Sequence, residues 1–371
     1  MNNFIHTFSL TAHLFLWEKD RIEESYREHF FYNSQEQVLV LSKYADRGVR
    51  LQIKFNPVAE KKYDKQHRDC KIEIIVTPAK LLHRGDVMCK LFTDDEYIAA
   101  CRELENIIYE IERQSGVNIW REVKVKRVDI TKDVATPNEK YSDEVIRLAK
   151  KAMIKPGCHI WKPSEMDVMQ SGYQEKDSIL FFNHNQGVNS KIYNKVVDLK
   201  KADSEFTIDH GLIRFEVSLM RKFLKANKMI DTDYIELNEV QDLMRKVMGA
   251  AERLLKAYTI DAFLGGYMVA KKIQKKAIQR YCNHKPGRYE RMLAYRDFYN
   301  KGKEAFEIAD PKRRERVAEH YVKLGLSPIY TSPEFDFIPS FSDILEGKWN
   351  FETCNNGERE KGSLQNSTFV S

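Results

Sequence analysis

The stretch ILFFNHNQGVNSKIYNK, from Ile179 to Lys195, reads as two short strands joined by a Gly- and Asn-rich turn. An apolar run, Ile179 to Phe182, leads into Asn183 to Asn189, and the chain re-emerges as Ser190 to Val197. A side-chain period of two puts Lys191, Tyr193 and Lys195 on one face and Ile192, Asn194 and Val196 on the other. A hydroxyl between two lysines is what a phosphate-attacking tyrosine needs. A free phenol, with a pKa near 10, is ionised to about one part in a thousand at neutral pH, and nearby cations favour the phenolate. The same triplet also describes an ordinary half-buried aromatic with solvated neighbours. The decision therefore rests on whether the chain supplies carboxylates for a metal and a surface for DNA.

With 371 residues, 42% hydrophobic and 31% charged, the chain can bury a sizeable core and is not of disordered composition. A net charge of +6 is compatible with nucleic acid without demanding it. None of the six cysteines forms a C-x-x-C pair, so a zinc site of ordinary spacing has no support, and free thiols in a reducing cytoplasm are expected. The first residues show no basic leader or small-residue cleavage site, and no apolar run reaches the length of a membrane span. The expectation is a soluble protein of the bacterial cytoplasm.

Outward from the tyrosine hairpin, VLVLSKY (Val38–Tyr44) and VRLQIKF (Val49–Phe55) read as paired strands. KIEIIVTPAKLL reads as a strand with Ile72, Ile74 and Val76 facing one way and Lys71 and Glu73 the other, ended by Pro78. Residues 94–114 read as a helix: Thr93 with Glu96 makes a capping box, Tyr97, Cys101, Leu104, Ile107, Ile108 and Ile111 form an apolar stripe, and Gly116 follows. REVKVKRVDITKD is a strand with Arg127, Asp129 and Thr131 on one face, and Asp143–Met153 a second helix. LIRFEVSL turns Ile213, Phe215 and Val217 inward and Arg214, Glu216 and Ser218 outward. From Leu237 to Leu324 the pattern is helical. The fold class expected is α+β: an antiparallel-sheet catalytic domain over 1–232, a helical basic DNA-binding region over 233–330, and an extended tail over 331–371 that is partly disordered. The sequence shows no internal repeat.

Three strands thus present a lone carboxylate on their polar faces: Glu73, Asp129 and Glu216. If they share a sheet with the tyrosine strand, these acids converge near Tyr193 as hard oxygen ligands suited to Mg²⁺ or Mn²⁺. The alternative is local pairing on a solvated face, Asp129 with Arg127, Glu216 with Arg214 and Glu73 with Lys71.

KRVDITKD (Lys126–Asp133), SKIYNK (Ser190–Lys195) and GLIRFEVSLMRKFLK (Gly211–Lys225) occur in that order after EIIVTPAKLL (Glu73–Leu82). Together they resemble the blocks of the filamentous-phage gene II/X replication proteins and their plasmid relatives. More distantly they resemble the plasmid rolling-circle initiators of the Rep_trans group, which share Arg-x-Asp, Tyr-x-Lys and Arg-Phe-Glu blocks. The resemblance covers about residues 50–230. It implies a replication initiator that nicks one strand of a circular double-stranded origin, leaving a 5′-phosphotyrosine and a free 3′-OH. It further implies Tyr193 as nucleophile, Lys195 as its phosphate-neutralising neighbour, Asp129, Glu216 and Glu73 as metal ligands, and Mg²⁺ or Mn²⁺ as cofactor. Origin duplex, single-stranded DNA, and the host replicative helicase and polymerase are the partners it implies. The His-hydrophobic-His motif of the widespread relaxases is absent: His67, His83, His159, His184 and His210 are scattered. A non-catalytic origin binder or repressor on the same scaffold, and a mobilisation relaxase, are the alternative readings.

The helical region is basic. In AKKIQKKAIQRYC, helical spacing puts Ala270, Ile273, Ala277 and Tyr281 inward, Lys271, Lys272 and Lys275 on the far side, and Lys276, Ile278 and Arg280 on the flanks, a basic surface for DNA phosphates. Arg313 and Arg314 add to it in PKRRERVAEHYVKLGL, and Tyr289, Tyr295, Phe298 and Tyr299 lie between, a mixture suited to phosphate contact and base stacking. Lys191 and Arg214 are the expected DNA contacts beside the tyrosine.

Overall fold

The computed structural model describes residues 3–55, 70–82, 90–151, 159–160, 178–183, 185–202, 205–231, 234–260, 266–300 and 311–349. Alternating sequences such as VRLQIKF and CKIEIIV place Val49, Leu51, Ile53, Ile72, Ile74 and Val76 in the core and their polar neighbours on the other face. Repeated across the chain, this alternation builds one antiparallel sheet from β1 (Phe4–Leu14), β2 (Phe30–Asn33), β3 (Val38–Leu41), β4 (Val49–Phe55), β5 (Cys70–Val76), β6 (Lys124–Thr136), β7 (His159–Ile160), β8 (Ser178–Asn183), β9 (Val188–Asn194) and β10 (Gly211–Met220). The order is β2-β3-β4-β5-β1-β6-β10-β9-β8-β7. A short pair, β11 (Met268–Val269) and β12 (Phe337–Ile338), stands apart. The α+β class is as the sequence indicates.

The helices are α1 (Leu16–Ser25), α2 (Pro78–Leu82), α3 (Asp94–Ser115), α4 (Glu139–Lys150), α5 (Lys195–Ala202), α6 (Arg221–Ala226), α7 (Leu237–Leu255), α8 (Lys271–Cys282), α9 (Pro286–Asn300), α10 (Pro311–Leu324) and α11 (Phe341–Leu345). Helix α3 begins and ends as read. Thr93 Oγ1 accepts from Glu96 N, Glu96 returns to Thr93 N at 2.9 Å, and Gly116 closes the helix at φ 66°. Its apolar stripe is buried throughout. Helix α4 starts earlier than expected because Asn138 caps it, accepting from Lys140 N at 3.0 Å.

Read from its centre outward, the sheet repeats itself. Strands β1, β5, β4, β3, β2 lie on one side and β6, β10, β9, β8, β7 on the other, and among the described residues each half runs strand, helix, four strands and a short closing helix, with α5 inserted between β9 and β10 in the second half. Phe8 and Val128 face each other at the centre. Glu73 lies opposite Thr11 and Gln52; in the other half, Glu216 lies opposite Thr131 and Lys191. Gly48 and Gly187 precede β4 and β9 with φ of +81° and +69°. Their carbonyls accept from Thr77 N at 2.8 Å and Met220 N at 2.9 Å, at the starts of α2 and α6. This corrects the reading of no internal repeat. What the halves share is alternation, pairing register and two left-handed turns, while few residue identities survive.

Two further expectations change. The hydrophobic core runs on from the sheet into α7 without a break at residue 231, and positions 232–233 of the expected boundary lie outside the described residues. The segment 331–349 is not an extended tail. The ring of Tyr141 on α4 meets Phe335 at 4.7 Å and Trp349 at 5.7 Å, and Glu144 accepts from Ser332 N at 2.7 Å. Positions 350–371 lie outside the described residues.

A Cβ at Gly48 would sit 2.6 Å from Lys80 Cβ and 2.7 Å from Thr77 O, whereas at Gly325 (φ +66°) it would meet nothing within 4 Å. Both turns carry the left-handed penalty of about 1 kcal/mol; only Gly48 adds overlap, about 1–3 kcal/mol more. Urea unfolding should therefore show Gly48→Ala losing clearly more stability than Gly325→Ala. Equal losses would show that the close approach at α2 is not a constraint.

Candidate active site

The sites expected from sequence lie on the polar face of the second half-sheet, on β6, β10 and β9. Cross-strand pairing fixes their neighbours: Tyr193 opposite Arg214 opposite Asp133, Lys191 opposite Glu216 opposite Thr131, and Ser218 opposite Asp129. Directly paired residues share a face, so Tyr193, Lys191, Arg214, Glu216, Asp129 and Asp133 all stand on one side.

Register also sets the separations. Glu216 is the diagonal neighbour of Tyr193 on β9 and of Asp129 on β6, about 7–8 Å in each direction. Asp129 itself lies four residues along and two strands across from Tyr193, about 16 Å between Cα atoms. Glu73 does not join them. It sits at the level of Thr11, about 16 Å from Asp129 on the same lattice, and pairs with Lys126. The convergence of three acids is thus corrected to two, with Glu216 between tyrosine and aspartate.

Tyr193 stands beside a clamp. Arg214 forms a two-pronged pair with Asp133, Nε to Oδ1 at 2.5 Å and Nη2 to Oδ2 at 2.7 Å, and lies opposite Tyr193 across the strand pair. Lys90 adds a 2.8 Å ion pair to Asp133, and His6 Nε2 lies 3.5 Å from Arg214 Nη1. The Lys191 ammonium sits 4.2 Å from the centre of the Tyr193 ring. Burial raises the Tyr193 pKa above its ordinary value, outweighing the Arg214 charge, so the resting group is a neutral phenol. Burial in turn lowers the Lys195 pKa, helped by Arg214. Lys195 is not on the tyrosine's strand: Asn194 Oδ1 accepts from Val196 N at 3.1 Å, ending β9, and Lys195 opens α5, paired with Asp198.

Sequence reading missed Asp133, Asp198, Lys90 and His6. The alternation that singled out Asp129 and Thr131 extends to Asp133, so that signal was present. His6 was invisible because it occupies a bulge, the extra residue between Ile5 opposite Ile130 and Thr7 opposite Asp129. Its imidazole stays neutral, its pKa lowered to about 3 by burial and then by Arg214.

Asp129 and Glu216 form a strained carboxylate pair. Burial raises the pKa of Asp129 against the opposing pull of Arg127, Ser218 and Thr7; burial and then the Asp129 charge push Glu216 up to about 7. Thr7 donates to Asp129 Oδ2, while Oδ1 lies 3.1 Å from Arg127 Nε without a hydrogen-bond partner. The hydroxyls of Thr131 and Ser9, on the same face, are likewise buried without one. Among the described residues no three His, Cys, Asp or Glu side chains cluster, which excludes a zinc-type cage there. Two carboxylates and nearby hydroxyls fit Mg²⁺ or Mn²⁺, which keep several waters and bind through one or two carboxylates plus substrate phosphate.

The basic helices only partly match their expected geometry. Lys271, Lys272, Lys275, Lys276 and Arg280 are exposed on α8. Its buried stripe, however, is Gln274, Ile278 and Cys282, because Gln274 Nε2 reaches Ser327 O at 2.7 Å and turns the helix. Tyr295 is buried and stacked on Tyr321 at 6.0 Å, so it is no platform for bases. Arg313 and Arg314 lie on α10 with side chains outside the described residues, and His67, His83 and His184 fall outside them too. No described helix is long and apolar enough to cross a membrane.

No family model matches this chain, and no curated protein matches it in sequence. Among solved structures, it is similar to a rolling circle replication initiator protein from Geobacillus stearothermophilus at 12% identity and a TM-score of 0.27, over 61% of this chain and 78% of that one. It is also similar to the di-domain ARO/CYC StfQ of the steffimycin biosynthetic pathway, at 12% identity and a TM-score of 0.21, over 70% of this chain and 99% of that one. Both likenesses are distant.

A Glu216 pKa raised from 4.5 to about 7 means that the folded state holds its proton more tightly than the unfolded state. That contribution to stability is present at low pH and is lost as pH rises from about 4.5 through 7, by up to about 3 kcal/mol at about 1.4 kcal/mol per pH unit. Melting in EDTA across this range should show the decline, and Glu216→Gln should flatten it. An unchanged slope in the variant would remove Glu216 as its source.

Proposed function

We propose that this chain is a rolling-circle replication initiator, a nicking and closing endonuclease that cuts one strand of a double-stranded DNA origin through a 5′-phosphotyrosine on Tyr193. The observation that carries the reading is the position of Glu216, diagonal to both Tyr193 and Asp129 on one polar sheet face. Glu216 stands between the nucleophile and the second acid there, on the residue blocks that resemble those of the gene II/X and plasmid initiators.

Asp129 and Glu216 would hold Mg²⁺ or Mn²⁺, which would stabilise charge on the non-bridging phosphate oxygens. The side chains account for the rest. The Arg214 charge beside the phenol would stabilise negative charge as it forms there, while its pair with Asp133 fixes the guanidinium plane. Lys191, over the ring, and Lys195, beside Arg214, counter the charge of an arriving phosphate. The bond from Tyr193 Oη to phosphorus forms as the bond to the 3′ oxygen breaks. The proton lost by the phenol is balanced by the one the 3′ oxygen gains. Closure is the reverse, with a 3′-OH attacking the phosphotyrosine. The exposed cations of α8 supply flanking phosphate contacts, and helicase and polymerase would follow at the free 3′-OH.

A non-catalytic DNA binder has one observation in its favour: the phenol is buried beside a salt-bridged arginine, as a structural tyrosine would be. Tyr193→Phe separates the two. Supercoiled origin DNA with Mg²⁺ or Mn²⁺ should yield open circles and a covalent adduct, and the variant should lose both by at least about a thousandfold while still binding DNA. Undiminished nicking by Tyr193→Phe would contradict the assignment.

A further inference from the structure

The repeat of the sheet gives Tyr193, Arg214, Glu216 and Asp129 counterparts in the first half. Where the second half has Glu216 opposite Thr131 and Lys191, the first has Glu73 opposite Thr11 and Gln52. Two residues along, Tyr193 opposite Arg214 corresponds to Lys54 opposite Lys71. About the Phe8–Val128 centre, Asp129 corresponds to Ser9. The first half has therefore kept one acid, which Lys126 neutralises, and has a lysine in place of the nucleophile.

Around Glu73 this face is cationic. Lys54 and Lys71 are exposed, Lys124 and Lys126 are partly exposed, and Arg50 lies one strand away facing Glu36 at 3.8 Å. The face continues directly into that of the tyrosine through the β1–β6 pairing. On the strand lattice, Lys54 and Tyr193 lie about 40 Å apart, on the order of one helical turn of B-DNA. A duplex has local dyads perpendicular to its axis, so a protein face with a pseudo-dyad can meet both strands alike. A single strand offers no such match.

We infer that the first half-sheet is a second nucleic-acid site, a non-cleaving half that grips duplex phosphates across the dyad from Tyr193, with Lys54 and Lys71 as its principal contacts. The inference rests on the nuclease reading for the kind of polymer bound. Its tests involve no cleavage, so the two stand or fall separately.

The probe is a fluorescent duplex of about 30 base pairs and arbitrary sequence, titrated with the full chain at several salt concentrations. The Lys54→Gln/Lys71→Gln pair should weaken binding about tenfold near 0.1 M salt and reduce the slope of log K against log salt by about 2, at about 0.9 per phosphate contact. Its melting temperature should match wild type, since both side chains are exposed. Unchanged affinity and slope would overturn the inference, as would a wild-type chain that does not bind the duplex. A second measurement needs no variant: amine acetylation of the wild-type protein, read by mass spectrometry, should find Lys54 and Lys71 protected by bound duplex. Full reactivity of both lysines in the complex would also overturn it.

Discussion

The pairing register of β10 between β6 and β9 is the constraint on which the rest of the site depends. It sets Arg214 between Asp133 and Tyr193 and Glu216 between Thr131 and Lys191. A slip of one residue on either side would turn Glu216 toward the helices and Phe215 or Val217 toward solvent. Phe215 and Val217 are fully buried, so the core enforces the register that the polar face requires. Stability and chemistry are read from opposite faces of the same ten residues.

Around Tyr193, burial and charge work against each other. Burial keeps the phenol protonated, while Arg214 offers a charge that favours its ionised form, and burial is the stronger influence at rest. On the proposed function, an arriving phosphate with its cation would change that balance at the nucleophile. The same logic holds for Asp129 and Glu216, which as a bare pair hold protons more tightly than free carboxylates.

Much of this was legible in the sequence because alternation is a local property. The faces of β4, β5, β6 and β10, the capped helix α3 and the tyrosine hairpin could all be read from period and turn chemistry. What sequence could not give was strand order, and with it the distance between acids that share a face. Glu73 looked equivalent to Glu216, and in one sense it is, since each holds the same place in its own half. Strand order separates them, and Lys126 occupies Glu73. His6 depends on a bulge, Lys195 on where Asn194 ends a strand, and the stripe of α8 on one glutamine that reaches Ser327. None of these has a periodic signature.

On the proposed function, a duplicated sheet with the nucleophile in one half would give a simple division of labour, one half cutting and both halves holding. The claim on which that picture turns is covalent attachment at Tyr193, and it can be read directly. A nicking reaction on supercoiled origin DNA with Mn²⁺ would be quenched, digested with nuclease and protease, and searched by mass spectrometry for a nucleotide-bearing peptide. The account predicts a 5′-nucleotide on the peptide that contains Tyr193. Attachment at another residue, or efficient nicking with no attached peptide, would contradict it.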